Sequence, residues 1–163
     1  MYSYNEQIEK KYKSVAHLPE GLMSFTRKIR QEAIHYLDLH EGDKVIDVGC
    51  GTGASFPFLK EVIGKSGVIY GVEPSSSMIN GAEVRVKQEK WENINLIEKT
   101  IEEFETDIRF NGALLFAMHD VFNSQEGLEK IYTFLKESAR IVCVGPKIQE
   151  TGFTKVLNPL LHL

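Results

Sequence analysis

The amino-acid sequence predicts a three-layer α/β fold, in which a mostly parallel sheet lies between two layers of helices. Three observations predict it. A short apolar run ends in a glycine-rich turn at residues 45–53. Apolar runs of strand length alternate with stretches of helical periodicity between residues 22 and 147. Residues 110–120 are nearly all apolar, which is typical of a strand covered by helices on both faces. Alternating strands and helices favour parallel pairing, because a parallel neighbour needs a long crossover connection.

Length and charge narrow the classes of protein to which the chain can belong. It has 163 residues, and its formal net charge of −4 comes from 19 basic and 23 acidic residues spread along the chain. We therefore predict a single domain, residues 1–163, without a nucleic-acid-binding surface. The basic residues Arg27, Lys28 and Arg30 are predicted to lie on a solvated helix face.

Cysteine and histidine usage predicts no metal site. Cys50 and Cys143 are far apart and fall in predicted buried elements, so neither a disulfide nor a zinc site is expected. The five histidines lack metal-ligand spacing. The sequence contains neither a signal peptide nor an apolar run of transmembrane length, which favours a cytoplasmic protein.

Two helices are predicted before the first strand. Residues 1–21 carry apolar side chains at near-helical intervals, among them Tyr4 and Tyr12, and are predicted to form an amphipathic N-terminal helix. Residues 22–39 have a clear apolar period of about 3.6 residues and are predicted to form the second helix.

The first strand leads into the turn around which the rest of the chain is organised. β-Favouring residues run up to Asp47, and Gly49, Gly51 and Gly53 then follow at every second position. Such a turn exposes backbone N–H groups to a ligand and suits residues without a Cβ. A helical period opens beyond it, with Pro57 early enough for the first turn to tolerate. A strand, a glycine turn and a helix form half of a nucleotide-binding unit.

The second strand, residues 67–73, ends at a carboxylate. Glu73 follows Gly53 by 20 residues and is placed to accept hydrogen bonds from both hydroxyls of a ribose. A helix capped by Ser75 is predicted over residues 75–88. Its inward-facing residues are predicted to be Met78, Ile79 and Ala82.

The second half of the chain repeats the alternation of strands and helices. The predicted elements are a third strand at residues 94–98, a fourth at 110–120, a helix at 126–137 and a fifth strand at 139–147. A helical turn or two is predicted within residues 154–163. The fifth strand would then be an exposed sheet edge, which favours a homodimer through that edge.

Two kinds of nucleotide site fit the glycine turn. The pattern Gly49-x-Gly51-x-x-Ala54 fits a dinucleotide site, as in an NAD(P)-binding oxidoreductase. The fuller string from Asp47 to Gly53, with glycine at 49, 51 and 53, more closely resembles motif I of the class I S-adenosylmethionine-dependent methyltransferases. That resemblance implies a Rossmann-like methyltransferase fold with S-adenosyl-L-methionine as cofactor and S-adenosyl-L-homocysteine as product.

The resemblance also implies where the cofactor lies. The acid Asp47 would lie under its methionine end, and Glu73-Pro74-Ser75-x-x-Met78 is similar to the family segment beside the ribose and adenine. The family then has an aspartate and a small or apolar residue at the adenine, whereas this chain has Thr100 and Ile101. Glu98, Glu102 or the backbone would have to replace the missing carboxylate. The implied cofactor-binding residues are Asp47, Gly49, Cys50, Gly51, Gly53, Glu73, Pro74, Met78, Thr100, Ile101, Phe116 and Met118.

The resemblance of the fourth strand indicates the class of methyl acceptor. Phe110 to His119 resembles the strand of methyltransferases that act on small molecules and lipids, and the Asn/Asp-Pro-Pro-aromatic sequence of amino-group methylators is absent. His119 is the candidate general base, because histidine titrates near neutrality. The alternative is that it lines the substrate or caps a helix.

The resemblance finally divides the chain into three parts. Residues 1–21 would form a lid over the cofactor, residues 22–147 the Rossmann-like core, and residues 148–163 a truncated tail without the final antiparallel strand pair. This short tail keeps a second function open: a domain that binds S-adenosylmethionine without catalysing transfer.

Overall fold

The structure, a computed structural model, describes residues 20–116, 124–147 and 158–162. The predicted N-terminal lid helix lies outside the described residues, and so do Met118, His119 and Asp120. In chain order the helices and strands are α1 (Glu20–Tyr36), β1 (Lys44–Val48), α2 (Phe56–Ile63), β2 (Val68–Val72), α3 (Ser76–Gln88), β3 (Ile94–Ile97), β4 (Phe110–Phe116), α4 (Gln125–Phe134), β5 (Leu135–Lys147) and β6 (Asn158–His162).

The strands form one sheet in the order β3-β2-β1-β4-β5-β6. The pairs from β3 to β5 are parallel, and β6 is antiparallel to β5. In the register of the sheet, Val48 lies opposite Val72 on one side and Leu115 on the other. The carboxyl ends of β1, β2 and β4 therefore meet at one edge, where the strand order reverses. In open α/β sheets this is the position at which ligands bind.

The sheet has an apolar core on each face. On one face Val45 packs with the buried residues of α1, α2 and α3, among them Ala33, Leu59 and Ala82. On the other face Ile46 packs with residues of α4 such as Ile131. Because side chains alternate along a strand, Asp47 lies on the same face of β1 as Val45, towards α1 and α2.

The start of α3 confirms the predicted serine cap. Ser75 has an extended backbone, and its hydroxyl oxygen accepts from the backbone N–H of Met78. Met78, Ile79 and Ala82 are buried, as their spacing predicts. A serine cap of this kind stabilises a helix by about 1 kcal/mol.

The boundary between α4 and β5 differs from the prediction. The apolar period continues through Leu135, but α4 ends at Phe134 and β5 begins at the next residue. Phe134 is buried in an edge-to-face contact with Phe104, with ring centroids 5.3 Å apart. Leu135 pairs with Phe110 of β4. Strand pairing with β4 thus overrides the local helical pattern.

The carboxyl-terminal strand corrects a second prediction. Residues 158–162 form β6 and pair with β5, with Asn158 opposite Lys147 and His162 opposite Cys143. A helical turn at these residues was therefore the wrong prediction, and so was an exposed edge at β5. One antiparallel strand is present where the pair was expected to be missing. It covers the backbone N–H and C=O groups that an edge strand would leave unpaired.

Candidate functional site

The glycine turn between β1 and α2 adopts the backbone conformation that its sequence predicts. The φ angles of Gly49, Gly51 and Gly53 are 68°, 56° and 74°, in the left-handed region. A Cβ on Gly53 would lie 2.5 Å from the buried ring of Phe56. A Cβ on Gly51 would meet no atom within 4 Å among the described residues, so the backbone at Gly51 borders open space. Gly53 is needed for packing, whereas Gly51 leaves room beside the turn.

The acid at the end of β2 holds this turn in place. Glu73 is buried and accepts hydrogen bonds from the backbone N–H of Gly51 at 3.0 Å and of Ser75 at 2.9 Å. The N–H groups of Gly49 and Cys50 both donate to the carbonyl oxygen of Val72, at 2.7 and 3.2 Å. The turn after β1 is thus fastened to the end of β2 by several hydrogen bonds.

Asp47 is the most unusual carboxylate of the site. Its side chain is 1% exposed, and neither oxygen has a hydrogen-bond partner among the residues that the structure describes. The pKa of Asp47 is raised from 3.8 to about 7, chiefly by burial; the positive charge of Arg30 opposes the shift, the negative charge of Glu73 adds to it, and the Ser55 hydroxyl opposes it. An ionised carboxylate in such a place is costly unless a cation accompanies it.

Arg30, on α1, is the site residue that sequence reasoning missed. Its Nη1 donates to the Ser55 hydroxyl at 2.7 Å, and its Cζ lies 3.8 Å from the centroid of the Phe116 ring. Its Nε is buried and has no hydrogen-bond partner in the described part of the chain. Burial lowers the pKa of Arg30, and the attraction of Asp47 opposes that shift.

The prediction that the basic residues lie on a solvated helix face is therefore wrong for Arg30. Arg27 and Lys28 are exposed, as predicted. Arg30 stands three and four residues before the buried Ala33 and Ile34, so it lies on the inward face of α1. This spacing can be read from the sequence, and it would have predicted that Arg30 lies on the inward face of α1.

Thr100 has a local structural role. Its hydroxyl accepts from the N–H of Glu103, and its own N–H donates to the Glu103 carboxylate, both at 3.3 Å. This reciprocal pair has the hydrogen-bond pattern of a capping box, here around a turn at residues 101–103. Ile101, one residue later, is buried in the core that includes Val48 and Phe104.

The two acids proposed as replacements at residue 100 have separate partners. Glu102 accepts from the hydroxyl of Ser124, just before α4, at 3.1 Å. Glu98, directly after β3, is exposed and hydrogen-bonded to the hydroxyl of Ser76 in the first turn of α3. The structure thus ties Glu98 to the helix that follows Glu73, and Glu102 to the opposite face of the sheet.

The remaining predicted residues divide into neighbours of the turn and core positions. Cys50 is buried in the turn, and burial raises the pKa of its thiol well above the ordinary value. Pro74 is half-buried beside Glu73, whereas Met78 is buried. Phe116 is half-buried at the end of β4, beneath Arg30. The edge of the sheet therefore brings Asp47, the turn, Glu73 and Phe116 together.

The described residues form neither a metal-ligand cluster nor a membrane-spanning helix. They contain no group of three or more histidine, cysteine, aspartate or glutamate residues that could hold a metal ion. No helix within these residues is long and apolar enough to cross a membrane.

Comparison with known proteins gives consistent similarities. A family model described as a methyltransferase domain matches residues 39–156. The demethylmenaquinone methyltransferase of Geobacillus sp. (strain WCH70) is 28% identical over 153 residues, which are 88% of this chain and 65% of that protein. That of Bacillus subtilis is 28% identical over 141 residues, 84% of this chain and 60% of that protein. The chain thus spans less than two thirds of the length of these relatives.

Solved structures show the same fold. An S-adenosylmethionine-dependent O-methyltransferase from Thermotoga maritima superposes with a TM-score of 0.65 at 24% identity, over 74% of this chain and 44% of that chain. A methyltransferase from Aquifex aeolicus superposes with a TM-score of 0.64 at 20% identity, over 88% of this chain and 77% of that chain.

Proposed function

The chain belongs to the methyltransferase domain family, whose model matches residues 39–156, and from that premise we propose that it binds S-adenosylmethionine and transfers its methyl group to a lipid-like acceptor. The cofactor would lie across the carboxyl ends of β1, β2 and β3.

The observation that carries the proposal is the state of Asp47. A carboxylate that is 1% exposed and has no hydrogen-bond partner among the described residues fits a cationic ligand group. The α-ammonium group of S-adenosylmethionine is such a group, and the open space at Gly51 lets the ligand approach the turn. Binding would offset the cost of an unpaired buried charge.

The strand order supports the placement of the nucleoside. With the amino-acid end at β1, the ribose would reach Glu73 at the end of β2. A carboxylate offers about four acceptor sites, so the hydrogen bonds from Gly51 and Ser75 do not prevent Glu73 from accepting ribose hydroxyls. The adenine would continue towards the end of β3. Contacts from Pro74, Met78 and Ile101 to the nucleoside stay predictions.

When bound, S-adenosylmethionine supplies an electrophilic methyl group on sulfur, so the chain's main contribution is orientation. Holding donor and acceptor in line can contribute about 7–11 kcal/mol to the lowering of a barrier. Phe116, at the end of β4, would border the methyl group. His119 as general base stays a prediction, as does a contact from Met118.

The class of methyl acceptor is proposed from the substrates named for two similar proteins. Both are demethylmenaquinone methyltransferases, so we take a demethylated quinol with an apolar chain as the first candidate substrate. Carbon methylation of such a ring breaks the methyl–sulfur bond, forms a carbon–carbon bond and releases the ring proton. The cytoplasmic setting stays a prediction, and so does a homodimer, although β6 covers the edge of β5 through which the sequence predicted it.

Titration calorimetry with S-adenosylhomocysteine tests the cofactor site, with Asp47→Ala as the comparison. We expect the intact chain to bind and the variant to bind at least about 10-fold more weakly, as expected for losing a charged hydrogen bond. Absence of heat with the intact chain would reject the site. Quenching of nicotinamide fluorescence would instead support the oxidoreductase alternative.

Transfer of a labelled methyl group to a demethylmenaquinol with a short side chain tests the reaction. Phenols, amines and fatty acids serve as the comparison panel. Cofactor binding without transfer to any acceptor would support the alternative of a non-catalytic binding domain.

A further inference from the structure

Helix α3 contacts Thr52 of the glycine turn from two positions on the same helix face. Nε of Arg85 donates to the carbonyl oxygen of Thr52 at 3.0 Å. A Cβ on Gly81 would lie 2.9 Å from Cγ2 of Thr52, so α3 packs closely on this side chain. Gly81 and Arg85 are neighbours on the helix surface, because residues at this spacing lie one above the other. The helix therefore holds both the backbone and the side chain of Thr52.

The peptide group between Thr52 and Gly53 is held at both of its polar atoms. Its oxygen accepts from Arg85, and its N–H donates to the carbonyl oxygen of Cys50 at 3.0 Å. The carboxylate of Glu73 accepts from the backbone in the first half of the turn. Arg85 thus restrains the second half of the turn as Glu73 restrains the first.

This restraint matters because the turn is rich in glycine. Gly51 and Gly53, on either side of Thr52, have left-handed backbones, and glycine loses more conformational freedom on ordering than any other residue. A ligand that has to order a loose turn binds more weakly than one that meets a turn already fixed. A hydrogen bond from α3 can therefore strengthen binding although Arg85 does not touch the ligand.

We propose that Arg85 is a positioning residue, which holds the carbonyl group of Thr52 and thereby fixes the turn on which the cofactor lies. The inference rests on the proposed function for the identity of the ligand. Because α3 begins directly after Glu73-Pro74-Ser75, the hydrogen bond of Arg85 joins the ends of β1 and β2 a second time.

The charge of Arg85 is a second route by which this residue could influence the site. Burial lowers the pKa of Arg30, Asp47 opposes that shift, and the positive charge of Arg85 adds to it. Arg85 therefore acts on a charged neighbour as well as on the backbone of the turn. Substitutions that remove its donor and its charge separately distinguish the two effects.

Two variants make this separation. Arg85→Met removes both the donor and the charge, whereas Arg85→Gln loses the charge but keeps an N–H donor at the same number of bonds from Cα. In calorimetry with S-adenosylhomocysteine, Arg85→Met should bind about 5- to 10-fold more weakly, as expected for one lost hydrogen bond. Arg85→Gln should stay within about 2-fold of the intact chain. Lys87→Met, at an exposed position of the same helix, is the matched control and should bind like the intact chain.

Hydrogen exchange of the ligand-free chain gives a readout that a general loss of stability would not reproduce. The amide of Gly53 should exchange about 10-fold faster in Arg85→Met and at the original rate in Arg85→Gln. The amide of Leu114, in the centre of the sheet, should keep its rate in both variants. If Arg85→Met fails to fold, Arg85→Ala takes its place, since alanine has the highest helix propensity.

The outcomes separate this inference from the proposed function. Equal affinities of Arg85→Met and the intact chain would overturn the role of Arg85. An equal loss in Arg85→Met and Arg85→Gln would also overturn it, because the charge would then be responsible, and so would equal acceleration at Gly53 and Leu114. Faster exchange at Gly53 alone, in a chain whose intact form does not bind S-adenosylhomocysteine, would support the restraint of the turn and reject the proposed function.

Discussion

The backbone N–H of Gly51 donates to the carboxylate of Glu73 across 22 residues of sequence, at 3.0 Å. The turn after β1 and the end of β2 are therefore one structural unit. A carboxylate whose two oxygens receive two backbone N–H groups orders the peptide planes around it, because charge-assisted hydrogen bonds are short and strong. The geometry of the turn thus depends on an acid in another strand.

Replacing Glu73 with glutamine tests this dependence. The amide has one acceptor oxygen in place of two, so one of the N–H groups of Gly51 and Ser75 would face an NH2 group. We expect a loss of about 1–3 kcal/mol in the free energy of unfolding and weaker binding of S-adenosylhomocysteine. Thermal unfolding measures the first effect and calorimetry the second. Glu83→Gln, an exposed position on α3, is the control and should change neither.

Because the pKa of Asp47 is raised in the folded chain, we expect the free energy of unfolding to depend on pH. Its pKa is about 7 in the folded chain and near 3.8 when unfolded, so the folded state holds the proton more tightly. The stability that this proton contributes is present below about pH 4 and is lost as the pH rises to about 7. Each unit of pKa difference corresponds to about 1.4 kcal/mol. Asp47→Asn should therefore be more stable than the intact chain at pH 8, as measured by urea unfolding at several pH values. Equal stabilities of the two chains at pH 8 would contradict it.

Ligand binding should have the opposite pH dependence. A ligand ammonium group favours ionised Asp47, whose pKa is set by burial, Glu73, Arg30 and Ser55. At pH 6, binding of S-adenosylhomocysteine should release up to about one proton, and affinity should rise between about pH 5 and pH 8. Calorimetry in buffers of different ionisation enthalpy measures the released proton. Binding without proton release at pH 6 would show that Asp47 does not meet the ammonium group.

Two glycines of the turn should respond differently to alanine. In Gly53→Ala the new Cβ would collide with the Phe56 ring at 2.5 Å, so we expect a loss of stability of about 1–3 kcal/mol or more. In Gly51→Ala no described atom is within 4 Å, and the cost comes from the positive φ alone, about 1–2 kcal/mol. That variant should fold and lose ligand affinity. Thermal unfolding and calorimetry together distinguish the two variants. Equal ligand affinity in Gly51→Ala and the intact chain would contradict the proposed approach of the cofactor to the turn.

The capping box at Thr100 predicts non-additive substitutions. Thr100→Ala and Glu103→Ala each remove one of two reciprocal hydrogen bonds, and each should cost about 0.5–1.5 kcal/mol. The double variant should cost less than the sum of the two, since the residues share one interaction. Denaturant unfolding of the four chains measures this coupling. Strict additivity would mean that the two hydrogen bonds are not coupled.

Most of the fold could be predicted from the sequence because its signals are local. Apolar runs, helical periods and the glycines after Asp47 identified β1 to β4, α1 to α3 and the glycine turn, and Ser75 marked the start of α3. The matching family model confirms the methyltransferase resemblance that the turn carried.

What the tertiary structure alone decided depends on residues that are distant in sequence. The pairing of β5 with β6 overrode the local pattern at residues 154–163, because backbone hydrogen bonds along a sheet edge are set by the neighbouring strand. Arg30 became part of the site for a related reason. The face of β1 that Asp47 occupies and the face of α1 that Arg30 occupies are each periodic in the sequence, but only the packing of α1 on the sheet makes the two faces meet. The sequence alone therefore determined the elements and the turn, whereas packing determined which charges lie beside it.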